Sequence, residues 1–416
     1  MRIAIVGGGA SGIVATHFLG NRHDVHLFET AANLGGHVRT LGQNVLVNEM
    51  PPGKIAENGP LGFHVATSPV FIGLLKELGI PTKPTALGSN LFLRDKQNYY
   101  LRPDLQHWRR RYIERTAGGL ETGLSLARFL YRTRCSRKSK NDQKHLGEVL
   151  PHLHFLRDWM RCIVMMCYST PMELVDSMPA TFAAANLRDG FLEPEWKFIP
   201  GGVHSYQAKI LSRFEGKVFL NSPVEKIFRD ENGVKLSVHG QMTNYYDKLI
   251  LATPPGRVLS MLDRPTAIED KFFSKWEEDI PFRTIAHTDA TIYEDKDDPV
   301  PTVADYFQKD EKDYGYNCCV SSLYTGTSEF SFAYNLDEIV SSEKQLDSHV
   351  HRIPAYSHAA LQHRDALINA NGERNTYYAG AYLGCGLHEG AVSSANRVAA
   401  LMGERSLKVE THDQGP

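Results

Sequence analysis

With 416 residues, the chain is longer than one hydrophobic core usually supports, so two domains, or one with a large insertion, are expected. A hydrophobic content of 42%, a charged content of 23% and a formal charge of -2 fit a globular protein, and they exclude the strongly basic balance that predicts a nucleic-acid partner. Six cysteines with no C-x-x-C pair exclude a disulfide scaffold or a thiolate metal site and read as reduced structural thiols.

From the amino terminus, Ile3-Ala4-Ile5-Val6 reads as a buried strand entering Gly7, Gly9 and Gly12, followed by a helical run from Ile13 to Leu19. Val25 to Glu29 supplies a second strand that closes on an acid. In this order the elements predict a dinucleotide-binding βαβ unit. Gly7 permits the tight turn, Gly9 lets the backbone approach a pyrophosphate, and Gly12 lets the helix pack on the strand. The helix start around Ala10 and Ser11 offers N–H groups to the phosphates, and the Glu29 carboxylate, beside Thr30, is placed to accept ribose hydroxyls. A strand that begins at residue 2 or 3 leaves no room for a signal peptide, so a cytoplasmic location is expected.

Nucleotide-domain signals recur in three separated blocks, which predicts domains interleaved in sequence: 1–81, 201–261 and 373–405 for the nucleotide domain, 82–200 and 262–372 for a substrate domain, and 406–416 as a flexible tail. In the second block a helix from Ser205 to Arg213 leads to short strands, an Asn232-Gly233 hairpin, and a buried strand from Lys248 to the Pro254-Pro255 pair. The stretch 82–200 reads as mainly helical, and its apolar window Ile163–Tyr168 is too short to cross a bilayer. The basic run Arg132–Lys140, with Arg109-Arg110-Arg111 upstream, reads either as a solvated helix face or as a contact with an anionic membrane surface.

Two further features bear on which dinucleotide is bound. Gly35-Gly36, soon after the ribose acid and followed by His37, provides a second close backbone approach that NAD-dependent domains do not regularly need. Near the other end, the glycines of Gly380–Gly390 precede a helix whose start can stabilise negative charge on the pyrimidine end of a reduced flavin.

On these residues the chain resembles the flavin-containing amine oxidase superfamily. Gly7-x-Gly9-x-x-Gly12, Gly35-Gly36 and Gly386-Leu-His-Glu-Gly-Ala-Val392 match its flavin signatures. Trp196–Gly202, His287-Thr-Asp289 and Gly380–Glu389 further resemble predicted NAD/FAD-binding proteins associated with cyclopropane fatty acid synthases. The resemblance covers nearly the whole chain and implies an α/β fold: a Rossmann-like FAD-binding domain with an interleaved α+β substrate domain. It implies FAD as cofactor, with the ADP half on Gly7, Gly9, Gly12, Glu29, Gly35 and Gly36, the adenine against the backbone of Val224, and the flavin ring beside Glu389, Gly390, Ala391 and Val392. His37 stands where many relatives carry arginine, and the cysteine that holds flavin covalently in monoamine oxidases has no counterpart, so FAD is expected to be noncovalent.

The chemistry is less narrowly set. The stretch resembling the lysine strand of amine oxidases, Thr284–Thr291, has no lysine, which weakens amine oxidation. His287 and His388 are candidate acid/base groups, each with a structural alternative, because imidazole titrates near neutrality. Tyr168, Tyr334 and Tyr382 are candidate pocket walls. The abundance of apolar residues, with no metal-ligand cluster, favours an apolar substrate, an unsaturated acyl or polyketide-like molecule that is desaturated or isomerised. Amine oxidation and a non-catalytic flavin protein are the alternatives. The oligomeric state is open.

Overall fold

Five parallel strands, in the order Lys217–Phe219, Asp24–Phe28, Arg2–Val6, Lys248–Leu251 and Thr376–Tyr378, form the first sheet. A parallel sheet is covered on both faces, which is why these strands read as unbroken apolar runs. Ile3, Ile5 and Ile250 are fully buried with Ile13 and Val14 of the helix Ala10–Leu19 and with Val392, Ala395 and Val398 of the carboxyl-terminal helix His388–Leu401. The sheet takes strands from each of the three blocks that carry nucleotide-domain signals. The fold is mixed α/β with a Rossmann-like parallel sheet.

The computed structural model describes residues 1–85, 88–94, 98–101, 119–137, 143–192, 195–276, 279–296, 301–320, 323 and 329–408. Arg109-Arg110-Arg111 and residues 138–140 of the basic run lie outside the described residues.

The second sheet has seven strands, in the order Gln345–Ile353, Ile280–His287, Ser331–Tyr334, Tyr314–Cys319, Ala304–Gln308, Ser89–Phe92 and Tyr99–Leu101. Helix His154–Tyr168 packs on its middle strands, and helices Ala180–Leu192 and Gly119–Arg137 follow outward. The stretch 82–200 is thus less helical than its composition predicts: Ser89–Phe92 and Tyr99–Leu101 extend this sheet, and Lys83–Thr85 and Trp196–Phe198 pair in a smaller one. Runs of three or four residues are too short to show a period of two, so these strands are fixed by pairing partners distant in sequence. The apolar window Ile163–Tyr168 is the last part of helix His154–Tyr168, which ends where Ser169 turns left-handed at φ 50°. No described helix is long and apolar enough to cross a membrane.

Within the stretch 406–416, residues 406–408 are described, and Leu407 is tied to the carboxyl-terminal helix: Asn396 donates to its carbonyl at 3.1 Å and accepts from its N–H at 2.7 Å.

A buried ion pair joins the blocks. Arg229, on the strand Val224–Asp230, makes a two-pronged contact with Glu269 of helix Ala267–Phe273 at 2.5 and 2.9 Å, and both side chains are 2% exposed. Thr376 Oγ1 accepts from the same guanidinium, and the Tyr378 hydroxyl donates to Glu269, which brings in the last parallel strand. Burial opposes both charges, yet the pairing prevails: the Arg229 pKa is raised and the Glu269 carboxyl is held below its usual range. Removing one partner strands the other charge in the core. Glu269→Ala is expected to destabilise the protein by about 3–5 kcal/mol in denaturant unfolding; a loss below about 1 kcal/mol would contradict a locked role for this pair.

Candidate functional site

The first glycine turn is shaped by backbone contact. Gly7 sits at φ +109°, where a Cβ would lie 2.4 Å from the Ala252 carbonyl oxygen, and a Cβ on Gly12 would lie 1.9 Å from the Gly7 carbonyl oxygen. Gly9 differs: the nearest atom to an added Cβ is Gly36 Cα at 3.7 Å, an ordinary contact. Packing within the chain therefore does not require glycine at position 9. No side chain caps the helix that starts at Ala10, next to Ser11, so its first N–H groups stay available.

The second pair closes on the first. Gly35 donates its N–H to the Gly8 carbonyl at 2.9 Å and bridges to Gly9, and Gly36, at φ +60°, puts its Cβ position 2.9 Å from Gly9 Cα. Asn44 holds this loop, donating to the Leu34 and Val38 carbonyls at 3.2 and 2.8 Å and accepting from Thr40 N–H at 2.9 Å. Glu29 accepts from the Gly8 and Ala31 N–H groups at 2.7 and 2.8 Å, so its carboxylate, with Thr30 exposed beside it, stands at the mouth of the turn. Ser222 donates to the Glu29 carbonyl at 2.8 Å, which sets Val224, at the start of its strand, close to the same edge.

At the far end, the loop Gly380–Gly386 folds back on the helix start. A Cβ on Gly384 would lie 2.6 Å from Gly390 Cα, and Gly380 N–H donates to Ser394 Oγ at 2.9 Å. No side chain caps His388–Leu401 either. Glu389 does not turn toward this opening. Its carboxylate accepts from Val70 N–H at 3.0 Å and Phe71 N–H at 2.8 Å, capping the start of helix Pro69–Leu78. Burial nevertheless raises its pKa to about 7, the two amide bonds only partly offsetting the loss of water. Glu389 thus fastens the helix bearing Ala391 and Val392 to its neighbour.

His388 packs its ring edge-on against Phe71 at 4.6 Å and Tyr206 at 5.6 Å between centroids. Its Nε2 is buried without a hydrogen-bond partner, and burial, with His37 nearby, lowers its pKa to about 4. The ring is neutral, with an open nitrogen.

The two faces of the seven-stranded sheet separate the remaining candidates. One row across it reads Leu91, Tyr306, Tyr316, Tyr334, Thr284, His349, and the adjacent row reads Asn90, Asp305, Asn317, Ala333, Ile285, Ser348. Because side chains alternate, His287 shares the second face. There it is 0% exposed, with Nε2 bonded to Asn317 Oδ1 at 2.8 Å and Nδ1 accepting from Asp289 N–H at 3.1 Å. A base or proton shuttle at His287 is therefore corrected to a structural member of a buried network that runs through Asn317 and Tyr293 to Asp305. On the first face, His349 and His351 approach His37: His351 meets the ring of His37 at 5.5 Å and that of His349 at 4.7 Å. His37 Nε2 donates to the Arg352 carbonyl at 3.1 Å, so it tethers the second glycine pair to the substrate sheet.

Tyr168 and Tyr382 belong to one ring cluster. Tyr168, Phe182, Tyr356, Trp276 and Tyr382 follow one another at centroid distances between 4.6 and 6.1 Å, with the Gly386 Cβ position 2.5 Å from Phe182 and 3.1 Å from Tyr168. The Tyr382 hydroxyl and Trp276 Nε1 are buried without partners. Tyr334 does not join them: it lies flat on Phe282 at 3.7 Å, on the face of the sheet that carries Thr284 and His349. Trp276, Tyr356, His349 and His351 escape a reading of the sequence because no local motif marks them. For the histidines the one signal is their i, i+2 spacing, which puts both on one face of a strand.

Two tight glycine contacts, two uncapped helix starts and unpartnered polar atoms at Thr253, Tyr382 and His388 fit an extended dinucleotide. Comparison with known proteins agrees. The family model for flavin containing amine oxidoreductase matches residues 10–278. Wild-type putrescine oxidase bound to putrescine is 14% identical, with a TM-score of 0.68 over 96% of this chain and 98% of that one. Cyclohexylamine oxidase from Brevibacterium oxydans is 14% identical, with a TM-score of 0.67 over 97% and 99%. A fatty acid isomerase from P. acnes that produces CLA is 14% identical, with a TM-score of 0.66 over 97% and 98%. No curated protein matches the chain.

The environment of Glu389 predicts a pH signature. Its folded pKa, about 7, lies above its unfolded value of about 4.3, so its contribution to stability is full below the unfolded pKa and is lost as pH rises through the folded one. Between about pH 4 and 8, Glu389→Gln should gain on the wild type by up to roughly 3 kcal/mol in thermal or denaturant unfolding. A pH-independent difference would contradict the burial of this carboxyl.

Proposed function

The chain belongs to the flavin-containing amine oxidoreductases, and we propose that it is an FAD-dependent oxidoreductase that takes hydride from an apolar substrate, giving desaturation or double-bond isomerisation. An unsaturated acyl or polyketide-like molecule is the substrate class. FAD is held noncovalently, with its ADP half on Gly7, Gly9, Gly12, Glu29, Gly35 and Gly36, the adenine at Val224, and the ring system at Gly380, Gly390, Ala391 and Val392.

The observation that carries this reading is the set of five packed rings that reaches the flavin helix through Tyr382, together with unpartnered polar atoms that are all uncharged: the Tyr382 hydroxyl, the Trp276 N–H and, at the helix start, the His388 imidazole. Such a set accepts a hydrocarbon without stranding a charge. When bound, FAD supplies the two-electron acceptor for hydride. His388 Nε2 is the acceptor for the proton that leaves the neighbouring carbon in a desaturation, and its low pKa keeps it free to accept at neutral pH. Burial of Tyr168, Tyr356 and Tyr382 raises their hydroxyl pKa values, so they stay neutral and orient rather than ionise. The second reading, oxidation of a small amine, draws on the same rings, since aromatic faces attract cations. Against it, the near face of the strand Ile280–His287 carries Phe282, Thr284 and Ala286, and no lysine.

The purified protein should be yellow and release FAD on acid precipitation. Anaerobic addition of unsaturated fatty acids should bleach the flavin if a double bond is introduced, or give an isomerised fatty acid with the flavin oxidised if the hydride is handed back, while small primary amines should do neither. Bleaching by amines alone would favour the second reading, and neither bleaching nor an isomerised product with either class would sink both. His388→Ala should retain the flavin spectrum and slow reduction by about 10²–10⁴; loss of flavin from this variant would make its role structural.

A further inference from the structure

Helix Gly119–Arg137 presents the wrong residues to water. Its inner face is conventional, with Phe129 and Thr133 buried. Its outer face carries Leu124, 51% exposed, and Tyr131, 71% exposed, with the exposed Arg128 and Arg132 interleaved at helical spacing. A surface helix of a globular domain keeps polar residues on that side. The charge is also out of keeping with the rest of the molecule: the helix holds four arginines, Arg128, Arg132, Arg134 and Arg137, against the single acid Glu121, in a chain of formal charge -2.

A groove of about 570 Å³ runs along this helix, between it and the segment Val149–His154. Leu124, Phe129, Leu150 and Leu153 give it an apolar floor, and Arg128, Arg132, His152 and His154 line it alongside one acid, Glu121. Exposed apolar side chains among cations, over a groove of the same character, match the chemistry of an anionic lipid surface: headgroup charge for the arginines, acyl chain for the stripe and the groove.

We propose that the outer face of Gly119–Arg137 docks the protein on anionic membranes. The contact is peripheral, since no described helix crosses a bilayer. It is also independent of which substrate the flavin site takes. Its place in the fold is apt for a lipid-borne substrate, because the helix packs on Ala180–Leu192, whose Phe182 lies in the ring cluster.

The test uses the flavin-loaded full-length protein and sedimentation with vesicles of phosphatidylcholine, alone or mixed with phosphatidylglycerol. Binding should occur on the mixed vesicles at low salt, fall with added salt, and be at least tenfold weaker on phosphatidylcholine alone. The double variants Arg128→Gln/Arg132→Gln and Leu124→Ser/Tyr131→Ser should each lower partitioning at least tenfold while leaving flavin content unchanged. No binding to mixed vesicles, equal binding to both vesicle types, or binding that survives both double substitutions would overturn the proposal.

Discussion

The structure depends on one close approach of backbone to backbone. Gly35 bridges to Gly9 and bonds to Gly8, and Gly36 leaves no more than 2.9 Å between its Cβ position and Gly9 Cα. Two loops more than twenty residues apart thereby become one cradle, and a side chain in this contact would force them apart. What surrounds it serves to hold it: Asn44 closes the second loop, Glu29 satisfies the Gly8 N–H, and His37 ties the next residue to the substrate sheet. The cradle is therefore fixed to both layers of the molecule.

Glu389 performs the equivalent service at the other end. Its carboxyl group meets the start of helix Pro69–Leu78, so the helix that begins beside it is held by a buried two-pronged contact. Among three helix starts near the proposed cofactor, one is capped by protein, and the starts at Ala10 and His388 have no side-chain cap. That division of labour gives a dinucleotide two places to put negative charge, one for its phosphates and one for its ring.

Most of the cradle was legible in the sequence because it is local: glycines at fixed spacing between a strand and a helix, an acid at the end of the next strand, a glycine pair shortly after. The parallel strands were legible for the same reason, as uninterrupted apolar runs. The ring cluster was legible only in part, since Tyr168, Phe182, Trp276, Tyr356 and Tyr382 come from five separated segments and meet only in three dimensions. His287 marks a different limit. Residue type pointed to a role, but direction is set by strand register, and a shift of one residue moves a side chain to the opposite face of the sheet. The register turns His287 toward Asn317 and Asp289. The histidines on the opposite face, His349 and His351, belong to an edge strand in a stretch without a motif.

The account rests on the clasp between the two glycine loops serving a bound dinucleotide rather than the fold alone. The affinity of the apoprotein for FAD in a Gly36→Ala variant tests this most directly, with far-UV circular dichroism as the control for folding. A methyl group at φ +60°, 2.9 Å from Gly9 Cα, should leave the circular dichroism in place and weaken FAD binding at least tenfold, about 1.4 kcal/mol. An FAD affinity equal to that of the wild type would contradict the account.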